Sequence, residues 1–190
     1  MCGRYYVAID ADELRDIGDE VERFVNAYGQ TLPVKTRGEI FPTDVVPVQT
    51  GVNRYEPMKW GFVTYNKKLI INARSETALE KPMFRRPMLE SRCLIPASAY
   101  YEWKKEDGKK IKYAFFVPGE SIFFAGCYRQ EAGSQVRNFV ILTRDAVNGL
   151  EAFHDRMPVI IPRNLQRTWL HETPDALESA ITELAYELAA

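Results

Sequence analysis

The chain opens "MCGRYY", with a thiol at its second position followed by glycine and arginine. A cysteine is ordinarily a small hydrophobe used for packing. Cys2 becomes something else if Met1 is removed, and the small Gly3 beside it suits such removal. The new terminus would carry an α-amine and a thiol two carbons apart. Such a 1,2-aminothiol condenses with an aldehyde: the amine forms an imine, and the sulfur then closes a five-membered thiazolidine. An α-amine titrates near 7.7–8.0 and a thiol near 8.5, so usable fractions of both are expected unprotonated at about pH 7.

Three further stretches are dense in groups that bind or move protons. "INARSET" places Asn72, Arg74, Ser75 and Glu76 behind two isoleucines. "YYEWK" sets Glu102 among aromatics inside a strand-like run. "FHDRMPVI" puts His154, Asp155 and Arg156 ahead of an apolar strand. Each also has a plain alternative. Glu102 either points outward on an alternating strand, or lies desolvated among Tyr100, Tyr101 and Trp103 with its pKa raised toward the range needed for acid–base work. His154 is a hydrogen-bonded structural histidine or a proton carrier. Asn72 caps a turn or holds a ligand, and Arg74 is solvated or forks a phosphate. Cys93 and Cys127 sit in apolar runs and read as core residues.

These groups need a scaffold, and the composition supplies one. With 190 residues, 46% of them hydrophobic and 12% aromatic, the chain can bury one good core, and a single domain over 1–190 is expected. No run approaches the roughly 20 apolar residues that span a bilayer. The start lacks a secretory signal, so a cytoplasmic protein is expected, and three cysteines leave an odd thiol that suits a reducing compartment. With two histidines and no C-x-x-C, neither a metal site nor a cofactor is expected. The net charge of −1 hides an asymmetry: residues 31–170 carry 22 Lys+Arg against 14 Asp+Glu, a net of +8 between acidic ends. That is either a positive binding face or scattered solvated charge.

"RYYVAI" reads as a strand, and Asp10 with Glu13 forms a capping box for a helix ending at Gly29. "DVVPV" and "YEPMKWGFV" read as proline-interrupted edge or bent strands. Residues 70–92 read as irregular with a short helix near 76–81. "RCLIPASAYYEWKK", "KIKYAFFV", "SIFFAGCYR" and "VRNFVILT" read as a four-run antiparallel meander. Asp145 caps a short helix through Phe153, "MPVII" is a strand, and a terminal helix starts at Thr173 with a stripe of Leu177, Ile181, Leu184 and Leu188. The expected class is α+β: a bent antiparallel or mixed sheet, barrel-like, with peripheral helices.

Taken in order, "MCGRY", "NARSET", "RCLIPASAYYEW" and "HDRMPVI" closely resemble the SRAP (SOS response-associated peptidase) family, over nearly the whole chain. The resemblance implies an α+β domain with a positively charged groove. It implies binding to single-stranded DNA and a covalent thiazolidine between the N-terminal cysteine and the ring-opened sugar of an abasic site. Carried across by position, Cys2 is the nucleophile and Asn72 holds the substrate and the cysteine amine. Glu102 assists ring opening and imine formation, and His154 shuttles protons and meets the lesion phosphate. Arg4 and Arg74 grip phosphate, Pro42 and Thr43 lie near the groove, and Trp103 blocks stacked DNA. The expected partner is abasic single-stranded DNA, bound by a monomer.

Two positions depart from the family pattern: "WGFVTYN" lacks a wedge tryptophan, and Ala99 stands where glycine is common. Two rival functions use the same residues. One is an N-terminal-nucleophile hydrolase or peptidase, including autocatalytic removal of Met1. The other is a non-covalent single-strand-binding module.

Overall fold

The computed structural model describes residues 2–8, Asp19, Arg23 and residues 33–189. The helix expected after Asp10 lies outside the described residues except for Asp19 and Arg23, both helical. The strands are β1 (Tyr5–Val7), β2 (Gly38–Ile40), β3 (Val45–Gly51), β4 (Arg54–Trp60), β5 (Phe62–Val63), β6 (Leu69–Ile70) and β7 (Asn72–Arg74). Helix α1 (Pro82–Glu90) precedes β8 (Arg92–Ala97), β9 (Ala99–Glu106), β10 (Lys109–Phe116), β11 (Ile122–Arg129), β12 (Arg137–Asp145) and β13 (Arg156–Pro158). Helix α2 (Gln166–His171) and β14 (Ala185–Leu188) complete the order.

Two sheets carry the fold. One has five strands in the order β14-β10-β9-β1-β2; the other runs β11-β8-β3-β4-β12-β13, with β7 added beside β12. They share an apolar layer to which both contribute, including Tyr5, Ile40, Tyr100 and Phe115 from the first and Trp60, Ile95, Phe124 and Phe139 from the second. This layer makes the core barrel-like. Period-two alternation builds it: in β11, Ile122 and Phe124 face this layer, while Phe123, Ala125 and Cys127 face the opposite side. That second side is covered by α1, α2 and the segment around Ala176, with Met88 and Trp169 buried there. Cys93 lies in the first layer and Cys127 in the second, both fully buried as core residues. The α+β class and the barrel-like core are as expected.

Several local expectations are corrected. β3 and β4 are interior strands of the seven-stranded sheet, not edges. Pro47 lies opposite Pro57, the β3–β8 register is confined to Gln49↔Leu94, and β4 joins β12 only from Met58 onward. Each proline therefore sits where its strand's other neighbour makes no ladder bond, and the missing N–H leaves no gap. The four-run meander is broken between β10 and β11: β10 pairs β9 and β14, whereas β11 pairs β8 and β12. The sheet is mixed, because β12 runs parallel to β4 and β7.

The helix expected at 76–81 is a single 3-10 turn, Ser75–Thr77, and the true helix follows at Pro82, with proline at its first turn. Asp145 ends β12 rather than capping a helix; Gly149, at φ +86°, precedes the short turn Leu150–Ala152. Thr173 does cap its segment, its Oγ1 accepting from the N–H of Asp175 at 3.2 Å, but only a 3-10 helix to Ser179 forms. Farther on, Ala185–Leu188 become β14. The open edge of β10 supplies backbone partners there, and Tyr186 packs on Phe115 and Phe153 at 5.7 and 4.8 Å between ring centroids. Tertiary pairing overrides a helical stripe of modest propensity.

Among the described residues, no helix is long and apolar enough to cross a membrane.

Candidate functional site

Cys2 lies just ahead of β1, and β1 pairs β9 on one side and β2 on the other. The N–H of Tyr101 donates to the Arg4 carbonyl at 3.0 Å and so ties this opening segment to β9. Asn72 begins β7, which runs parallel to β12 with Asn72 opposite Ile141. From there its Nδ2 donates to the Cys2 carbonyl oxygen at 2.9 Å. Its Oδ1 is buried and has no hydrogen-bond partner among the described residues. The asparagine is therefore a clamp on the Cys2 backbone with one polar atom in reserve.

Glu102 resolves to the inner of its two readings. On β9 it shares a face with Tyr100 and is 6% exposed, so the carboxyl points into the barrel-like layer. Burial raises its pKa, and the nearby His154 pulls the other way. Burial also drives the Cys2 thiol far above its ordinary value, with the Glu102 charge adding to the effect. A usable thiolate fraction at neutral pH is thus corrected: the Cys2 thiol holds its proton, and any reaction at sulfur must hand that proton on.

His154 joins Glu102, Trp103 and Lys110 around an open cleft of about 370 Å³. Its Nδ1 accepts from the Arg156 N–H at 2.9 Å and also lies 2.6 Å from Asp155 Oδ1. One nitrogen cannot accept and donate at once. The neutral ring takes the Arg156 N–H and carries its proton on Nε2, while the protonated ring can donate Nδ1–H to Asp155.

The opening segment also builds a basic, aromatic lip. The Arg4 guanidinium lies 4.1 Å from the Phe41 ring centroid and 5.2 Å from that of Trp103. Pro42 and Thr43 occupy the centre of a tight turn closed by the Asp44 N–H to the Phe41 carbonyl at 3.0 Å. Thr43 sits there at φ +78°, a conformation costly for a β-branched residue. Arg74 is exposed at the end of β7, and no carboxylate pairs with it among the described residues. Cys2, Asn72, Glu102 and His154 are thus brought together, with Arg4, Thr43 and Trp103 on one lip; Arg74 follows Asn72 by two residues.

Three participants carry no motif of their own. Phe41 is visible only as the residue preceding Pro42-Thr43. Glu39 meets Arg4, and Lys112 meets Glu39, from strands distant in sequence. Arg156, though inside "HDRMPVI", acts internally. Its guanidinium donates to both Glu76 oxygens at 2.9 and 2.8 Å and to the Thr143 carbonyl at 2.7 Å, and it also bonds Asp145. It pins the segment after Asn72 and Arg74 to the strand after His154. Where the wedge tryptophan is missing, the β5–β6 hairpin instead exposes Tyr65 completely. No group of metal-ligating side chains is found among the described residues.

Comparison with known proteins identifies the family. The chain is 34% identical to the abasic site processing protein YoaM of Bacillus subtilis, covering 95% of this chain and 85% of that one. It is 30% identical to the abasic site processing protein YedK of Escherichia coli over 95% of this chain and 84% of that one. The rat abasic site processing protein HMCES is 27% identical over 55% of this chain and 41% of its own. A Bacteroides thetaiotaomicron protein of known crystal structure superimposes over the whole chain and 92% of its own, with a TM-score of 0.80 at 22% identity. The family model described as SOS response associated peptidase (SRAP) matches residues 1–189, and the chain belongs to that family.

Proposed function

We propose that the protein binds single-stranded DNA and captures abasic sites, forming a thiazolidine between Cys2 and the ring-opened sugar once Met1 is removed. Its relatives, known as abasic site processing proteins, supply the lesion class. The observation that carries the chemistry is the 2.9 Å bond from Asn72 to the Cys2 carbonyl, which fixes the future terminus beside Glu102 and His154.

The steps balance without an oxidant or cofactor. The Cys2 amine adds to the sugar aldehyde, and loss of one water gives an imine. Glu102, which burial keeps protonated to higher pH, donates a proton in ring opening and dehydration and takes one back. The thiol then adds to the imine carbon: a C–S bond forms, and the thiol proton finishes on nitrogen. Asn72 Oδ1, buried and without a hydrogen-bond partner among the described residues, would accept from the Cys2 amine, and Nε2 of His154 would relay protons. Arg4, Arg74, Pro42, Thr43 and Trp103 would hold the strand. The high thiol pKa is tolerable because the attack is intramolecular on a bound imine. It weighs against the hydrolase reading, which needs a thiolate reactive toward unactivated amides.

The test is intact mass after mixing the Met1-free protein with an abasic single-stranded oligonucleotide. The expected product equals protein plus oligonucleotide minus one water. Cys2→Ala, or one extra residue ahead of Cys2, should yield no heat-stable adduct while DNA is still bound. A heat-stable adduct formed by Cys2→Ala would overturn the mechanism.

A further inference from the structure

Glu39 contacts two cations of the basic lip at once. Arg4 Nη1 lies 3.3 Å from Glu39 Oε2, and Lys112 Nζ bonds the other oxygen, Oε1. Both cations are braced from behind by rings. Arg4 lies over Phe41 and Trp103, and Lys112 Nζ lies 4.0 Å from the centroid of Tyr101. Lys112 stands directly opposite Trp103 in the β9–β10 ladder, and Glu39 opposite Tyr6 in β1–β2. Four strands thus hold this cradle, and its centre is a carboxylate with a side chain 30% exposed.

A carboxylate spanning two cations over an aromatic floor occupies the volume and charge that a phosphodiester would take. We infer that Arg4 and Lys112 form a two-cation seat for one backbone phosphate of the single strand, and that Glu39 fills this seat as an internal competitor in the free protein. This rests on the reading that the face takes single-stranded DNA. Binding then exchanges Glu39 for phosphate: the carboxylate swings to solvent, and its two partners transfer to the strand. Lys112 holds the Glu39 carboxyl below its usual range, so the competitor stays charged at neutral pH. The exchange lowers affinity for any strand and favours one pressed into the seat by other contacts, such as capture at Cys2. Glu39 is a positioning and selectivity residue, not a catalytic one.

A purely structural Glu39 would hold Arg4 in place for DNA, and its loss would weaken binding. The competitor role predicts the opposite sign. The probe is an unmodified oligothymidylate, with affinity measured by fluorescence anisotropy from low to moderate salt. Glu39→Gln should tighten binding by up to about fivefold, the size of an exposed ion-pair effect. It should also steepen the salt dependence by about 0.7 in log–log slope, one phosphate's worth. Lys112→Gln, with Glu39 intact, should weaken binding and flatten the slope by a similar amount. Equal or weaker binding by Glu39→Gln, in a protein that still forms the abasic adduct, overturns this inference and leaves the proposed function standing. No binding by any version overturns the DNA reading and this inference with it.

Discussion

Asn72 Nδ2 and the Cys2 carbonyl oxygen meet at 2.9 Å although seventy positions separate them in the chain. The bond fixes the backbone of the residue whose amine is proposed to react. Asn72→Ala leaves that buried carbonyl without a donor, and stability should fall by about 1–2 kcal/mol. Asn72→Asp sets a carboxylate against a carbonyl oxygen and should be worse in both stability and rate. Urea unfolding and single-turnover adduct formation at saturating DNA measure the two effects. Adduct formation by Asn72→Asp at the parent rate would remove Asn72 from the site.

Glu102 should separate chemistry from stability. Glu102→Gln keeps the shape but cannot cycle a proton, so adduct formation should slow by roughly 10²–10⁴-fold. The stability effect has the opposite sign. The folded-state pKa lies above the ordinary 4.5, so the folded protein binds the proton more tightly than the unfolded chain does. The parent's stability from this group is complete below 4.5 and declines as pH rises through the folded value. Glu102→Gln should therefore gain stability relative to the parent as pH is raised from 4 to 8. A constant difference across that range would argue against a buried, pKa-raised carboxyl.

Thr43 at φ +78° stores strain in a turn that glycine would satisfy. Thr43→Gly should raise stability by about 1 kcal/mol, the relief of strain exceeding the greater chain entropy of glycine. It should also weaken single-strand binding, because the side chain proposed to line the groove is gone. A lowered melting temperature would show that Thr43 carries no strain.

Arg156 is 6% exposed and holds Glu76, Asp145 and the Thr143 carbonyl. Burial works against ionisation of Glu76, yet the Arg156 bonds win and hold its pKa below 4.5. Arg156→Met should cost about 2 kcal/mol at pH 7, less than the ~3–5 of a fully buried pair because both carboxylates reach water. A lowered pKa contributes stability present above 4.5 and lost as pH falls through the folded value. The gap between parent and variant should hence shrink by pH 3. A gap unchanged between pH 7 and pH 3 would mean that the pair is not what Arg156 contributes.

Gly126 in β11 leaves no room for a side chain. A Cβ there would lie 2.5 Å from Ile95 Cδ1 and 2.7 Å from the Val140 carbonyl oxygen. The isoleucine can rotate, but the backbone oxygen cannot. Gly126→Ala should destabilise by at least about 1–3 kcal/mol, read by thermal unfolding. A variant as stable as the parent would show that β12 can shift away from β11.

The sequence by itself determined the chemistry available and most of the sheet. A thiol at position 2 next to a small residue already contains the aminothiol idea. The apolar runs from Arg92 onward had to become strands, because their alternation buries two faces at once. What the sequence left open was decided by pairing partners that only the folded chain supplies. Glu102 is flanked by aromatics on both sides, so alternation could not say which face it takes; the pairing of β9 with β1 and β10 turns it inward with Tyr100. The stripe from Ile181 to Leu188 suits a helix, yet the unsatisfied edge of β10 makes its last part, Ala185–Leu188, a strand. Glu39 and Lys112 look like solvated charges until β2 and β10 are laid in one sheet with β1 and β9 between them. Side-chain type is local, whereas burial and charge partnership are set by contacts distant in sequence, and the thiol of Cys2 received its raised pKa from those contacts alone.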